Sequence, residues 1–321
     1  MYILCSDIQI GNKRTTAVND ITVKRSIYNL GSTATIRVPV NAVLHRKDQP
    51  TAKVITAQQI SVGDKVEIRT GYNGRLTLEF RGYVKAVNLS TPVEIICEDE
   101  FWTTRQRNIT NGGTITLTKL LEKCGLQIAF AETLTLRNFA VPNKSVANVL
   151  AKIRKDYGLS VFFDLEGKVY ACRPERVIGD RVKYVLRKNV INDDKLQYRD
   201  KSDAKIRINA ICFKKDGTKI EAKKGAEGGV EKTLYFYDIE NLQELSILAE
   251  RELQRSATNG YEGSLETFLE PYAAPGMIAD VTDPIYADRS SEYYIEAMEL
   301  HYGMRGGRRI VEIGGIVNGQ Q

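Results

Sequence analysis

The sequence predicts a mainly β protein with two tube-like antiparallel β-barrels and a small inserted α/β domain. Apolar and polar residues alternate along many short segments, turn residues separate those segments, and helical patterns are confined to two parts of the chain. The 321 residues are enough for two or three domains that each bury a core. We assign residues 1–105 to the first barrel, 106–190 to the α/β insert, and 191–321 to the second barrel with a long packing helix at about 239–257.

The composition indicates a globular protein, and the net charge does not identify a partner. The hydrophobic fraction of 42% and the charged fraction of 27% favour neither disorder nor a membrane class. A net charge of +6, from 46 basic and 40 acidic residues, permits a polyanionic partner without implying one. The start, "MYILCSDIQIG", lacks a basic leader and a long apolar run, so we expect the protein to stay in the compartment where it is made. Its five scattered cysteines contain no CxxC pair, which predicts reduced and mostly buried thiols.

The first region shows the clearest strand pattern. In "STATIRVPV", Ala34, Ile36 and Val38 alternate with polar residues, as in a strand with one buried face. Asn73-Gly74 is typical of a tight hairpin turn. In the returning strand, the alternation predicts that Phe80 faces the core together with Leu76 and Leu78, and that Thr77, Glu79 and Arg81 point outward. The apolar phase becomes less regular after Gly82, as expected where a strand bends at a barrel corner.

The middle of the chain predicts two helices and a hairpin. Thr116 can cap a helix in "LTKLLEKC", and Ser145 can cap another in "VANVLAKIRKDYG". A glycine that can end the helix follows each segment. The segment "LSVFFDLEGKVYACR" then predicts a hairpin with Glu166-Gly167 in its turn, which completes a small α/β unit.

The last third returns to strands. "KIRINAICFKKDGTKIEA" predicts a hairpin that turns at Asp216-Gly217, and "KKGAEGGVEK" predicts an exposed loop, so that the segment 214–232 should be mobile in the free protein. Asp238 can cap the longest helix, in "IENLQELSILAERELQRSA". One apolar stripe of that helix should pack on a sheet, and it comprises Ile239, Leu242, Leu245, Ala249 and Leu253. Three further strands are predicted around residues 277–281, 292–301 and 308–313.

The closing strands repeat the first region in outline. "VGDKVEIRTGYNGRLTLEFRGYVKAVNLSTPVEIICE" can be aligned with "PGMIADVTDPIYADRSSEYYIEAMELHYGMRGGRRIVEIGG". In each, a glycine (Gly63 or Gly276) precedes a strand, an aromatic-rich strand follows, and the stretch ends in a strand with "VEI". Either the chain carries two related barrels, or the similarity is one that any two antiparallel meanders share.

Two groups of carboxylates are candidates for chemistry. Glu98, Asp99 and Glu100 adjoin aromatic residues in "CEDEFW", an arrangement that a sugar hydrolase could use, or they mark a polar strand end. "DVTDPIYAD" offers three aspartates as possible metal ligands, namely Asp280, Asp283 and Asp288, but it lacks the spacing and central glycine of a calcium loop. We favour the strand end in the first case and an Asp-Pro turn in the second.

The remaining residues do not form a catalytic pattern. His45 and His301, the two histidines, lie far apart in sequence and outside any HxxxH or CxxH spacing. The sequence contains neither a Walker loop nor GxGxxG. We therefore predict that the protein is not an enzyme and has no catalytic residues, metal site or cofactor.

Two features bear on binding. As an alternative function, Phe80 and Tyr83 in "LEFRGYVK" could stack bases on an OB-like barrel that binds single-stranded nucleic acid, although the phase of Phe80 places it in the core. Five lysines could contact a partner, although a solvated surface is the commoner explanation. They are Lys214, Lys215, Lys219, Lys223 and Lys224.

Several stretches resemble the baseplate hub proteins of contractile phage tails, a family that includes the late control protein D type and the hub portion of the type VI secretion spike. The C-terminal run is the most similar: "LQELSILAERELQRS", "EGSLETFLEPYAAPGMIADVTD" with Pro275-Gly276, "SEYYIEAMELHYG" and "RRIVEIGG". "SVANVLAKIRKDYGLSVFFDLEGKVYACR" resembles the family's inserted domain. "GDKVEIRTGYNGRLTLEFRGYVKAV" resembles the central hairpin of its first barrel.

This resemblance implies a structural protein of a virion or prophage tail, or of a related contractile injection system. It implies a homotrimer that lies between the sixfold tail tube and the threefold spike. The expected partners are the tube protein, the spike protein and other baseplate components, with no specific nucleic acid and no membrane insertion. Assembly is expected in the bacterial cytoplasm. The sequence shows no appended lysozyme or peptidase before Gln321, so a cell-wall-degrading role is not expected.

Overall fold

The computed structural model describes residues 2–46, 49–174, 176–200, 205–214, 218–237, 239, 241–256 and 259–317. These residues form mostly β-strands with four α-helices, which confirms the predicted mainly β class with a small α-containing insert. None of the helices among them is long and apolar enough to cross a membrane. Cys97, Cys124, Cys172 and Cys212 are buried free thiols and Cys5 is half-buried, as predicted.

The first β region consists of nine strands and one short helix. They are β1 (Leu4–Ile10), β2 (Lys13–Thr15), β3 (Asp20–Ser26), β4 (Thr33–Val38), β5 (Asn41–Arg46), β6 (Gln49–Ile55), β7 (Lys65–Tyr72), β8 (Arg75–Asn88), β9 (Val93–Glu98) and α1 (Phe101–Thr104). Strands β5 and β6 form a separate hairpin, and the others lie side by side in the order β3, β4, β9, β8, β7, β1, β2. Asn73 and Gly74 both have positive φ, as the predicted tight turn between β7 and β8 requires.

The insert contains the two predicted helices and the predicted hairpin, together with three strands that were not predicted. Its elements are β10 (Asn108–Thr116), α2 (Leu117–Lys123), β11 (Ile128–Ala131), β12 (Thr135–Ser145), α3 (Val146–Tyr157), β13 (Ser160–Phe163) and β14 (Val169–Cys172). The side chain of Thr116 accepts the N–H of Lys119, and that of Ser145 accepts the N–H of Asn148. The residues Gly125 and Gly158 that follow the two helices have left-handed φ values of 68° and 65°.

The second β region contains ten strands and the longest helix. They are β15 (Arg181–Val185), β16 (Val190–Asn192), β17 (Leu196–Arg199), β18 (Ile206–Phe213), β19 (Lys219–Gly225), β20 (Val230–Tyr237), α4 (Leu242–Ser256), β21 (Gly260–Thr267), β22 (Ile278–Thr282), β23 (Ser291–Gly303) and β24 (Gly306–Ile316). Strands β18, β19 and β20 form a small sheet that packs on α4, and the others join the large sheet. The sheet of this region begins before residue 191, where the sequence placed the start of the second barrel, because β15 pairs in parallel with β22.

Two predictions for the segment before α4 are wrong. The described part of the stretch 214–232 is not mainly a loop, because it contains β19 and the start of β20, which pair with β18 on its two sides and are separated by residues 226–229. The hairpin predicted there does form, and its turn residues Asp216-Gly217 lie outside the described residues. Helix α4 begins at Leu242 and not at residue 239, because Asn241 accepts the N–H of Glu244. Asp238, the predicted cap, also lies outside the described residues.

The predicted stripe of α4 is only partly buried. Leu245 and Ala249 lie in the core beneath the small sheet, together with Ile239. Leu242 is 54% exposed, contrary to the prediction. It is the first residue of the helix and is not part of the core beneath the small sheet.

The two β regions share one strand order. The first region has β3, β4, β9, β8, β7, β1, and the second has β17, β21, β24, β23, β22, β15. Corresponding strands also follow one another in the same sequence along the chain. The regions differ at their far edge, where β1 is antiparallel to β7 whereas β15 is parallel to β22. A chance similarity between two antiparallel meanders does not account for six strands that have the same order in both regions. The chain therefore contains an internal repeat.

The hydrogen bonds fix the register of this repeat. Gly63 donates to Val84 at 2.8 Å, and Gly276 donates to Ile295 at 2.8 Å. Just beyond, both β8 and β23 carry a register shift, between Val84 and Ala86 and between Ile295 and Ala297. The two glycines noted in the sequence are therefore equivalent. The two "VEI" triplets are displaced by two residues, since Ile95 corresponds to Val311.

One continuous 14-stranded sheet contains the strands of both β regions. β23 is thirteen residues long, and its second half leaves β22 and pairs with β3 of the first region. Tyr293 and Ile295 from its first half pack in the core of the second region. Met298 and Leu300 from its second half pack in the core of the first. One strand thus helps to build both cores.

Candidate functional site

The carboxylates of "CEDEFW" hold the corner between β9 and α1. Glu98 is bound by Arg105 and Lys85. Asp99 accepts the N–H of Ser32 at 2.7 Å and that of Phe101 at 3.0 Å, and its burial raises its pKa to about 6. Glu100 accepts the hydroxyl of Tyr83 at 3.0 Å. Each carboxylate therefore fixes local structure, which supports the strand-end interpretation over the hydrolase one.

Asp283 organises the turn after β22. Its carboxylate accepts the Tyr261 hydroxyl at 2.5 Å, the Arg187 guanidinium at 2.9 Å and the backbone N–H groups of Ile285 and Tyr286 at 2.9 and 3.2 Å. Burial opposes ionisation, but these hydrogen bonds outweigh it and lower the pKa of Asp283 to about 2. The described residues contain no group of three or more His, Cys, Asp or Glu that could hold a metal ion. The Asp-Pro turn explains this motif.

Replacing Asp283 with Asn should lower the free energy of unfolding by about 1–3 kcal/mol at pH 7, because a buried hydrogen-bond network loses an acceptor. The folded-state pKa lies below the ordinary value of 3.8, so the carboxylate stabilises the fold above about pH 4 and loses this effect as the pH falls toward 2. Urea unfolding should therefore show a smaller loss at pH 3 than at pH 7. Asp288→Asn, an exposed change in the same motif, is the control. An equal loss at both pH values would contradict this role.

The aromatic pair proposed for nucleic-acid stacking is not available as a platform. Phe80 is 1% exposed and packs in the core of the first region. Tyr83 stacks on Trp102 with ring centroids 5.3 Å apart. The OB-like alternative therefore loses the residues on which it depended.

The predicted partner-binding lysines lie on or next to the small sheet. Lys219 and Lys223 are exposed on one face of β19, and Glu221 lies between them at 3.6 and 3.4 Å. Lys214 and Lys224 are half-buried, and Lys215 lies outside the described residues. The mixed charge of this face is typical of a solvated surface, and a role in partner binding stays a prediction.

The pairing of β3 with β23 joins the two regions, and we define these paired strands as the junction. Seven residue pairs connect them, from Ala297 opposite Ser26 to Gly303 opposite Asp20. Lys24 and Glu299 form an ion pair at 2.9 Å on the outer face. On the inner face, Val23 and Leu300 are fully buried opposite each other. His301 lies on the outer face beside Glu299 at 3.2 Å, and the side chain of His45 lies outside the described residues.

A buried ion pair also connects the two regions. Arg309 of β24 and Glu79 of β8 are 0% and 1% exposed and meet at 2.7 and 3.1 Å. Arg309 also donates to the carbonyl oxygens of Leu269 at 2.9 Å and Ala273 at 3.2 Å. The sequence pattern placed Glu79 outward, and this was wrong. A β-bulge at Glu79 puts two residues of β8 opposite one of β7, so that Glu79 and Phe80 are both buried.

Two strand edges that correspond to the junction have no second strand partner among the described residues, although the N–H of Leu196 on one of them donates to the carbonyl oxygen of Asp193 at 2.8 Å. Residues 86–88 of β8 pair only with β9, although their counterparts in β23 also pair with β3. Strand β17 pairs only with β21, although its counterpart β3 also pairs with β23. Exposed backbone edges of this kind are ready to accept another strand. These two edges and the junction form the candidate functional site.

No family model and no curated protein matches the sequence, whereas the fold matches solved structures. The 43 kDa tail protein of prophage MuSo2 from Shewanella oneidensis has 16% identity and a TM-score of 0.59, over 97% of this chain and 98% of that one. A tail protein from Neisseria meningitidis MC58 has 11% identity and a TM-score of 0.60, over 97% and 96%.

A third solved structure comes from a secretion apparatus. The E. coli c3393 protein is described as a component of the type VI secretion system with structural similarity to T4 bacteriophage tail proteins gp27 and gp5. It has 8% identity and a TM-score of 0.56, over 96% of this chain and 76% of that one. The chain therefore has, over nearly its whole length, the fold of these phage tail and secretion-system proteins.

Proposed function

We propose that this chain is a structural hub protein of a phage tail or tail-like injection apparatus, where it adapts a sixfold tube to a threefold spike. The observation that carries the proposal is the internal repeat, in which two regions share one strand order within a single chain. The full-length likeness to tail proteins supports it. We assign the chain a structural role and no catalytic one, since its candidate carboxylates are engaged in holding turns and corners.

The repeat suits a change of symmetry. Three copies of a chain with two similar regions present six similar surfaces, and the parts that differ between the regions repeat only three times. The homotrimer can therefore match a hexameric ring on one side and a trimeric spike on the other. We propose the insert and the small sheet as the threefold parts, because neither has a counterpart in the other region.

The proposed partners are the tube protein, the spike protein and other baseplate components. The exposed face of the edge strand β19, with Lys219 and Lys223, is the surface that we propose for a baseplate component. The exposed Val230 on β20 and Ile247 on α4 add apolar area to the same subdomain. In this proposal the protein resides in the virion tail after assembly in the bacterial cytoplasm.

The copy number in assembled particles tests this proposal. In purified tail particles, quantitative mass spectrometry should find three copies of this chain, as many as of a trimeric spike protein and half as many as of the protein in one hexameric tube ring. Six copies, or absence of the chain from the particles, would contradict the adaptor function. The spike and tube proteins of the same particles are the internal standards.

A further inference from the structure

We infer that the end of β8 in one copy pairs with β17 in the next copy, repeating between chains the junction that β23 and β3 form within one chain. The contact comprises residues 86–89 on one side and 196–199 on the other. This inference rests on the proposed homotrimer and specifies how its copies connect. The partner is a second copy of this chain.

The register of the internal repeat specifies the contact. Val84 corresponds to Ile295, so their partners on the next strand, Cys97 and Ile313, also correspond. One strand further, Ala34 pairs with Cys97 and Gly263 pairs with Ile313. At the edge, Val23 pairs with Ala34 and Leu196 pairs with Gly263. Each step is a hydrogen-bonded neighbour, so β17 is the counterpart of β3 residue by residue.

When the register of the junction is applied to the two free edges, four residue pairs result. Leu300 opposite Val23 becomes Leu89 opposite Leu196, and Glu299 opposite Lys24 becomes Asn88 opposite Gln197. The remaining pairs are Val87 with Tyr198 and Ala86 with Arg199. The apolar pair of the junction thus corresponds to an apolar pair at the free edges. The ion pair of the junction corresponds to two side-chain amides that can form a hydrogen bond with each other. Strand β17 is four residues long, which matches the length of the contact.

The exposure of Leu89 supports this pairing. Leu89 is 85% exposed, whereas its counterpart Leu300 is fully buried in the core of the first region. Leu300 and Met298 reach that core from the second region through the junction. Among the described residues, no corresponding pair of apolar side chains from the first region reaches the core of the second region, and Leu196 at the edge of that core is half-buried. Leu89 and Val87 of a neighbouring copy would complete it.

The contact between chains should be weaker than the junction within a chain. It has four residue pairs where the junction has seven. In addition, Val93 corresponds to Arg309, so the buried ion pair with Glu79 has no counterpart. Assembly should therefore be reversible in the isolated protein, while each chain keeps its own two regions together.

Paired cysteines test the register directly. In a chain with Asn88→Cys and Gln197→Cys, oxidation should link different chains, because residues directly opposite in antiparallel strands can form a disulfide. A mixture of the two single variants should give covalent dimers only. Lys24→Cys with Glu299→Cys is the positive control, and it should give a link within one chain. The unmodified chain, oxidised in parallel, controls for its native cysteines.

A charge at Leu89 gives a second measurement. Leu89→Asp should abolish self-association in sedimentation velocity and leave the unfolding midpoint unchanged, because the side chain is exposed in the single chain. Met304→Asp, a change at another exposed apolar residue, should affect neither quantity.

The outcomes separate the contact from the proposed function. Trimers that form the control link but not the link between residues 88 and 197 would overturn this contact and leave the hub intact. Absence of the link at every protein concentration, together with unchanged association of Leu89→Asp, would overturn it as well. The copy number in tail particles decides the hub function independently.

Discussion

Replacing Arg309 with Met is expected to lower the free energy of unfolding by about 3–5 kcal/mol, because it leaves the Glu79 carboxylate buried without its charge partner. The two side chains are 0% and 1% exposed, so water cannot replace the lost contacts. The carbonyl oxygens of Leu269 and Ala273 also lose a donor. Urea unfolding followed by circular dichroism measures the loss.

Two controls show whether the unpaired charge causes this effect. The double variant Glu79→Leu with Arg309→Met removes both charges and should recover much of the loss. Lys168→Met breaks the exposed ion pair with Glu166 and should leave the free energy of unfolding nearly unchanged. An equally small effect of Arg309→Met would show that the buried ion pair does not hold the two regions together.

Replacing Gly82 with Ala is expected to cost about 1–3 kcal/mol, because an added methyl group has no room where β8 passes from β7 to β9. A Cβ atom at Gly82 would overlap the carbonyl oxygen of Glu98 and lie 2.8 Å from the Cα atom of Asp99. Both are backbone atoms of the β9 corner, so a side-chain rotation cannot relieve the contact. Thermal or urea unfolding measures the loss.

Gly112→Ala is the matched control for this substitution. Gly112 is exposed in β10, and a Cβ atom there would meet no atom within 4 Å. The change should be neutral or slightly stabilising, since alanine has less backbone freedom to lose on folding. Equal effects at the two glycines would refute the close approach at Gly82.

Local rules predicted the parts of the fold that depend on short stretches of chain. Thr116 and Ser145 cap the two insert helices as expected, because their hydroxyls reach backbone N–H groups three residues ahead. Asn73-Gly74 forms its turn for a similarly local reason. The internal repeat was also visible from its two glycines, although the number of strands it includes was not.

The errors arise where contacts distant in sequence decide the structure. The Lys- and Gly-rich stretch was interpreted as a loop from composition, but Ile220 and Ala222 pack on the core with α4, and β20 lies parallel to β18. The local sequence pattern does not show which strands pair or whether they pair in parallel. Similarly, β15 joins β22 across almost a hundred residues, which moved the start of the second region.

The residues of the candidate site could not be predicted from the sequence pattern. Arg309 lies in "RRIVEIGG", where alternation does not show that a charged side chain faces inward toward the other region. Glu79 turns inward because of a β-bulge that depends on pairing with β7. From the sequence, Leu89 is an ordinary turn residue. Only the register of the repeat shows that it corresponds to the buried Leu300.

A cryo-electron microscopy reconstruction of the assembled ring, without imposed sixfold symmetry, tests the adaptor function most directly. It should show three chains whose first and second β regions alternate, with neighbouring regions related by about 60°. The contact from β8 to β17 between chains should superpose on the contact from β23 to β3 within a chain. A ring of six chains, or three chains whose two regions do not alternate around the axis, would contradict the claim that the internal repeat adapts one symmetry to the other.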